Sequence, residues 1–244
     1  MGSTKIAKPF YFKQFVLQQD RCAMKIGTDG ILLGAWADTS GIHRILDIGT
    51  GSGLIAIMLA QRTKDALIDA VEIDADACSQ AQKNMKSSPW SERLRAFPMA
   101  IQDFRLSADS KDGYDLVISN PPFFSGGTFS FNQDRTSVRH TIKLPHNDLL
   151  GAVRKLLHSQ GRFCTILPLI EGLRFQELAE SYHLYCTKIT EVRPKADKPI
   201  ERLLMQFEKE QRTIARGELI LRGEDGQTMT PAYTSLTEAF YYKL

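Results

Sequence analysis

Three short stretches carry the residue types and spacings that could do chemistry. Asp47-Ile-Gly-Thr-Gly-Ser-Gly53 sets an acid ahead of three glycines, Glu72 follows, and Asn120-Pro121-Pro122-Phe123-Phe124 puts a carboxamide in front of two prolines and two rings. Gly49, Gly51 and Gly53 permit close approach of a ligand to the backbone. Their G-x-G-x-G spacing is tighter than the G-x-G-x-x-G that cradles a pyrophosphate, which suits a ligand without a diphosphate. Three glycines also fit a tight turn with no ligand. Asp47, at the end of a buried strand, needs a partner, and a ligand ammonium is one candidate. Glu72 lies roughly 20 residues beyond the glycines, where a doubly wound nucleotide fold places the acid that grips ribose hydroxyls. The adjacent prolines lock the backbone at a strand's carboxyl end, where open α/β sheets bind ligands.

The elements that must position these residues follow from periodicity. Ile45, Leu46 and Ile48 form a buried strand, and Leu54 to Arg62 a helix after the glycines. Leu67 to Ile73 reads as a second strand and Ala75 to Lys86 as a helix, with Asp74 and Asp76 as cap and dipole residues. Leu94 to Met99 is a weaker strand because of Pro98, and Tyr114 to Ser119 a buried one leading into Asn120. A helix over Asp148 to Gln160, capped by Asn147 and stopped by Gly161, then precedes a strand over Arg162 to Leu167. Glu171 to Tyr182 reads as helix, Tyr185 to Val192 and Ile200 to Phe207 as two adjoining strands, Glu218 to Leu221 as a possible strand, and Ala232 to Phe240 as a helix. The pattern predicts an α/β fold with a seven-stranded, mostly parallel sheet, helices on both faces and an antiparallel last strand.

Upstream, Phe10, Tyr11, Phe12 and Phe15 make an aromatic cluster too dense for a loop. In Cys22 to Trp36, Gly27 and Gly30 bracket Thr28 and Asp29, which could cap the following helix, contact a ligand, or do both. Ser125 to Pro145 lacks periodicity and mixes Phe129, Phe131, Arg135, Arg139, His140 and Lys143. This pattern fits either a base-stacking, phosphate-neutralising lid or a solvated loop.

At 244 residues, 43% apolar and 24% charged, the chain can bury one full core, so 1–244 reads as a single domain, with 1–40 an arm and helix covering the ligand pocket and 125–145 a substrate loop. A net charge of +3 permits a polyanionic partner without demanding one. From Lys5 to Asp29 five basic residues outnumber two acidic ones, a weak nucleic-acid signal. The four cysteines form no C-x-x-C pair and the five histidines show no ligand spacing, so no metal is expected. No signal peptide or apolar span is evident, and a cytoplasmic protein, monomeric and off the membrane, is expected.

Taken together, the glycine turn with Asp47, Glu72 and Asn120-Pro-Pro-Phe123 resemble the motifs of class I S-adenosylmethionine-dependent methyltransferases that act on planar nitrogens. Cys22 to Trp36, Arg139-His140-Thr141 and Leu236-Thr-Glu-Ala-Phe-Tyr241 resemble the bacterial tRNA1(Val) adenine-N6-methyltransferase family, which modifies the adenine beside the anticodon, and the similarity runs from about Phe12 onward.

The resemblance implies that Gly49, Gly51 and Gly53 pass close to the methionine part of S-adenosylmethionine, that Asp47 lies near its ammonium, that Glu72 takes the ribose hydroxyls and that Lys25, Thr28 and Asp29 lie over the same pocket. Relatives often hold the cofactor adenine with an acid after the third strand. Met99-Ala100-Ile101-Gln102-Asp103 has alanine there, leaving Ile101, Gln102 or Asp103 for that side. Asn120 and the Pro121 carbonyl would accept both hydrogens of an exocyclic amine, Phe123 would stack on the base, and Pro122, Phe124, Arg135, Arg139 and His140 would contact tRNA. Phe123 is also frequent in ribosomal-RNA guanine-N2 methyltransferases, which stand as the alternative. A Rossmann NAD-dependent oxidoreductase would need only the glycines and Glu72 and would leave Asn120-Pro-Pro-Phe123 structural.

Overall fold

The computed structural model describes residues 8–22, 25–107, 113–122 and 144–242. Phe123, Phe124, Arg135, Arg139 and His140, with nearly all of the expected substrate loop, lie outside the described residues.

A small antiparallel hairpin, β1 (Phe10–Tyr11) with β2 (Val16–Leu17), opens the described chain. Contrary to expectation, Phe12 and Phe15 lie in the connection between these strands and Tyr11 is exposed, yet the rings still pack: Phe12 stacks on Phe15 at 4.4 Å between centroids, and Tyr241 from the far end of the chain lies 6.2 Å from Phe12. The Lys13 N–H donates to the Phe240 carbonyl at 2.8 Å, tying the two ends together.

After helix α1 (Thr28–Trp36) strands and helices alternate as far as residue 193. They run β3 (Arg44–Ile48), α2 (Leu54–Arg62), β4 (Leu67–Glu72), α3 (Ala75–Lys86), β5 (Leu94–Pro98), α4 (Ile101–Ser107) and β6 (Tyr114–Ser119). Next come α5 (His146–Leu156), β7 (Leu157–Pro168), α6 (Leu169–Glu180), β8 (Tyr185–Arg193), β9 (Arg202–Glu208), β10 (Ala215–Ile220) and α7 (Pro231–Thr237). Among the described residues the main sheet has eight strands, in the order β10-β8-β9-β7-β6-β3-β4-β5. The chain leaves β3 toward β4 and β5, then returns to β6 on β3's other side. The carboxyl ends of β3 and β6 therefore flank the point where strand order reverses, which is where such sheets bind ligands.

Alternating side chains serve two cores. Ile45, Ile68, Ala70, Leu116 and Ile118 face α1, α2 and α7, while Leu46, Ile48, Val71, Val117 and Phe163 face α4, α5 and α6. Full burial of each such leucine, isoleucine or phenylalanine is worth about 1.5–3 kcal/mol. Both faces of the sheet are therefore covered, which leaves its carboxyl edge open to carry a site.

Three expectations need correction. The sheet has eight strands rather than seven: β9 is antiparallel to both β7 and β8, and β10 adds a parallel edge strand whose six residues pair with Lys188–Arg193. Its polar sequence, A-R-G-E-L-I, gives little apolar periodicity because an edge strand needs little burial. Helix α5 starts after Pro145 and stops at Leu156, and residues 157–160 already belong to β7. Gly161 does not end the helix but lies in the strand opposite a register shift of β6, where an added Cβ would sit 2.7 Å from the Tyr114 carbonyl oxygen.

Candidate functional site

The site grows from the carboxyl ends of β3, β4 and β6. Beyond β3 the backbone enters the left-handed region at Gly49 (φ 73°), Gly51 (φ 57°) and Gly53 (φ 86°), a conformation in which L-residues are strained. The Gly49 and Thr50 N–H groups donate to the Val71 carbonyl at 2.8 and 3.2 Å, so the turn is fixed to β4. A Cβ added at Gly49 or Gly51 would meet no atom within 4 Å, leaving open space over this stretch of backbone. Gly53 differs, because it caps α2 and its missing Cβ faces Ala81 and Met85 of α3 at 3.4 Å.

Glu72 closes the turn from the side. Its Oε2 accepts from the Gly51 N–H at 2.9 Å and its Oε1 from the Asp74 N–H at 3.0 Å, while Asp74 caps α3 by accepting from Asp76 and Ala77. Asp47 lies behind the turn, fully buried. Its Oδ2 accepts from the Thr50 hydroxyl at 2.6 Å, and its Oδ1 has no hydrogen-bond partner among the described residues. Burial, reinforced by the nearby Glu72 charge, pushes its pKa up to about 7. The Ser119 hydroxyl donates to the Ile48 carbonyl at 2.8 Å, joining the tips of β3 and β6 and bringing Asn120 level with the glycine turn.

Two cavities meet at Asn120. The first, about 220 Å³, is lined by Gly49, Gly51, Glu72, Ile101, Gln102, Asn120 and Pro122, together with Ile73, Asp74, Ala77 and Met99. Among its described lining residues the charged ones are Glu72 and Asp74. The second, about 610 Å³, is lined by Lys25, Thr28, Asp29, Asn120, Pro121, Pro122, Glu201 and Arg202, among others. Asn120 and Pro122 are common to both. Asn120 Oδ1 is buried and has no partner among the described residues, an exception to the rule that buried polar atoms are paired.

The structure thus gathers Gly49, Gly51, Glu72, Ile101, Gln102, Asn120, Pro121 and Pro122 as expected, and sends others elsewhere. Lys25, Thr28 and Asp29, expected over the first cavity, line the second. Neither Thr28 nor Asp29 caps α1: Gly27 occupies the cap position with no side-chain bond, and Asp29 Oδ2 instead accepts from Arg202 Nε at 2.9 Å. Lys25 Nζ donates to the Gln19 and Cys22 carbonyls. Asp47 and Gly53 support the turn from behind without lining either cavity. Gln102 donates to Asp148 Oδ2 at 2.8 Å, and Asp103 is exposed and outside the lining.

Sequence reasoning missed Cys22, Ile73 and Arg202. Ile73 carried a signal, a large apolar residue directly after the strand-end acid, and it is 53% exposed. Arg202 carried none, since its partner Asp29 is 173 positions away.

Comparison with known proteins bears on the family and the fold. Residues 25–144 match the family described as "Methyltransferase small domain". The chain is 43% identical over 233 residues to the tRNA1(Val) (adenine(37)-N6)-methyltransferase of Escherichia fergusonii, covering 95% of this chain and 94% of that protein. It is 44% identical over 236 residues to the protein of the same name from Trichodesmium erythraeum, covering 96% and 98%. Among solved structures, a protein described as a predicted O-methyltransferase from Agrobacterium tumefaciens superposes with a TM-score of 0.69 at 19% identity, covering 89% of this chain and 99% of that one. The ribosomal protein L11 methylase of Lactobacillus delbrueckii does so with 0.56 at 12% identity, covering 80% and 84%. These last two establish the fold alone.

Proposed function

The chain belongs to the tRNA1(Val) (adenine(37)-N6)-methyltransferase family, and from that premise we infer that it moves a methyl group from S-adenosylmethionine to the exocyclic N6 amine of adenine 37 in a valine tRNA. The relatives' names support adenine N6 over guanine N2, and nothing in them supports an oxidoreductase.

The first cavity suits the cofactor on three counts. Backbone lies open at Gly49 and Gly51, a carboxylate stands at Glu72, and the charged lining is acidic, as a sulfonium and an ammonium require. Gly49 and Gly51 would pass along the methionine part, Glu72 would take the ribose hydroxyls, and Ile73 and Met99 would flank the adenine. When bound, S-adenosylmethionine supplies a methyl group already activated on a sulfonium sulfur.

The remaining work falls to Asn120 and Pro121. An exocyclic amine has little nucleophilicity because its lone pair is conjugated with the ring. Asn120 Oδ1 and the Pro121 carbonyl, held by the Pro121–Pro122 backbone, accept the two amine hydrogens and draw the nitrogen toward tetrahedral geometry. The alkylated nitrogen then sheds a proton readily, so no strong base is needed. Glu72 and Asp47 keep the turn in place while this occurs.

The observation that carries the reading is Asn120, whose oxygen, without a partner among the described residues, stands where the two cavities meet. Labelled cofactor with tRNA and nucleoside analysis should yield N6-methyladenosine; N2-methylguanosine would refute it. Asn120→Ala should lower transfer by about 10²–10³-fold and leave cofactor affinity by calorimetry within about threefold. The same reading takes the protein as a cytoplasmic monomer, and among the described residues no helix is long and apolar enough to cross a membrane.

A further inference from the structure

The second cavity differs from the first in its charges. Lys25 and Arg202 stand on its wall with Asp29 and Glu201, whereas the described charged lining of the first is purely acidic. Its volume, about 610 Å³, falls in the range of about 300–1,000 Å³ that houses one small-molecule-sized unit, such as a nucleotide extruded from its stack. A base that reaches Asn120 from this side brings its sugar and phosphate with it, and the cations on the described wall are Lys25 and Arg202.

Arg202 is set for such contact by its neighbours. Asp29, on α1, accepts from Nε at 2.9 Å, and the carbonyl of the adjacent Glu201 accepts from Nη1 at 3.0 Å, and these bonds help fix the plane of the guanidinium. The pair is neither deeply buried nor fully solvated, with side-chain exposures of 28% for Arg202 and 22% for Asp29. A planar guanidinium held at the edge of a cavity matches the oxygens of a phosphodiester, which a lysine meets only as a point charge.

We propose that Arg202 binds a phosphate of the tRNA nucleotide presented to Asn120, and that Asp29 is the positioning residue that aims it. This rests on the transfer reading above. It gives Asp29 a task on the substrate side of the site, and it makes β9, which contributes nothing to the first cavity, part of the RNA-binding surface.

Steady-state methylation of tRNA by the full chain, measured against potassium chloride concentration, tests the assignment. Arg202→Gln should raise KM for tRNA on the order of tenfold with kcat changed less than about threefold. It should also flatten the slope of log(kcat/KM) against log[salt] by about 0.7, the contribution of one phosphate in a single strand. Arg202→Lys should recover the salt slope but only part of the affinity, and Asp29→Asn should fall between wild type and Arg202→Gln. Cofactor affinity by calorimetry should be unchanged in all three. If wild type methylates tRNA and the variants lower activity and melting temperature together with the wild-type salt slope intact, the pair is a structural tether and the proposal fails. If Arg202→Gln does not fold, Arg202→Lys and Asp29→Asn decide by the same slope. If wild type does not methylate tRNA, it is the parent reading that fails.

Discussion

Asp47→Asn should change how stability depends on pH. The Asp47 carboxyl is fully buried, its Oδ1 has no partner among the described residues, and burial with the Glu72 charge raises its pKa from the ordinary 3.8 to about 7. Between those two values the folded protein holds a proton at this position that the unfolded chain has released. Its contribution is therefore fully present below about pH 3.8 and is lost as pH climbs through 7. At about 1.4 kcal/mol for each of roughly three pH units, the loss approaches 4 kcal/mol as an upper figure. Asparagine keeps an acceptor for the Thr50 hydroxyl and never ionises, so this dependence should vanish. Thermal unfolding of the cofactor-free protein between pH 5 and 8.5 measures it. Relative to wild type, Asp47→Asn should gain stability as pH rises, and at about 2–4 °C per kcal/mol the gain by pH 8 should reach several degrees. Parallel curves for the two proteins would refute the reasoning.

Gly51→Ala forces a left-handed φ of 57° on an L-residue, at a cost of about 1–2 kcal/mol, and puts a methyl group into open space beside the first cavity. Cofactor affinity by calorimetry should fall at least tenfold, with melting lowered by only a few degrees. Glu72→Gln leaves one amide oxygen for two N–H donors, Gly51 and Asp74, so one must face an NH₂ group. The unsatisfied donor costs about 1–3 kcal/mol, and cofactor dissociation constants should rise in step. Asp74→Ala removes the α3 cap, worth about 1 kcal/mol, and should lower the melting temperature by about 2–4 °C in differential scanning calorimetry.

What could be read from the chain beforehand depended on how local the cause was. The turn at Gly49–Gly53, the acid ending β4 and the cap at Asp74 are dictated within a few residues, and each lies where its spacing predicts. The same holds for Asn120 beyond β6, since a buried strand running into two prolines has few other conformations. The boundary between α5 and β7 was not legible, because apolar residues continue from Leu156 through Leu157 and no turn separates helix from strand. Nor was the task of Asp29, since its partner Arg202 arrives through sheet topology and leaves no periodic mark. Asp47 shows a third kind of limit. Its burial was foreseeable, but the direction of its side chain, toward Thr50 rather than into the cavity, depends on a hydroxyl that could equally have pointed elsewhere.

The joining of Phe12 and Lys13 to Phe240 and Tyr241 bears on how the molecule is born. Translation delivers the hairpin long before its partners, so its aromatic rings stay without their final neighbours until almost all of the described chain has emerged. Nascent chains cut short before Phe240 would carry every glycine and acid of the reaction centre, yet lack the residues that hold the hairpin.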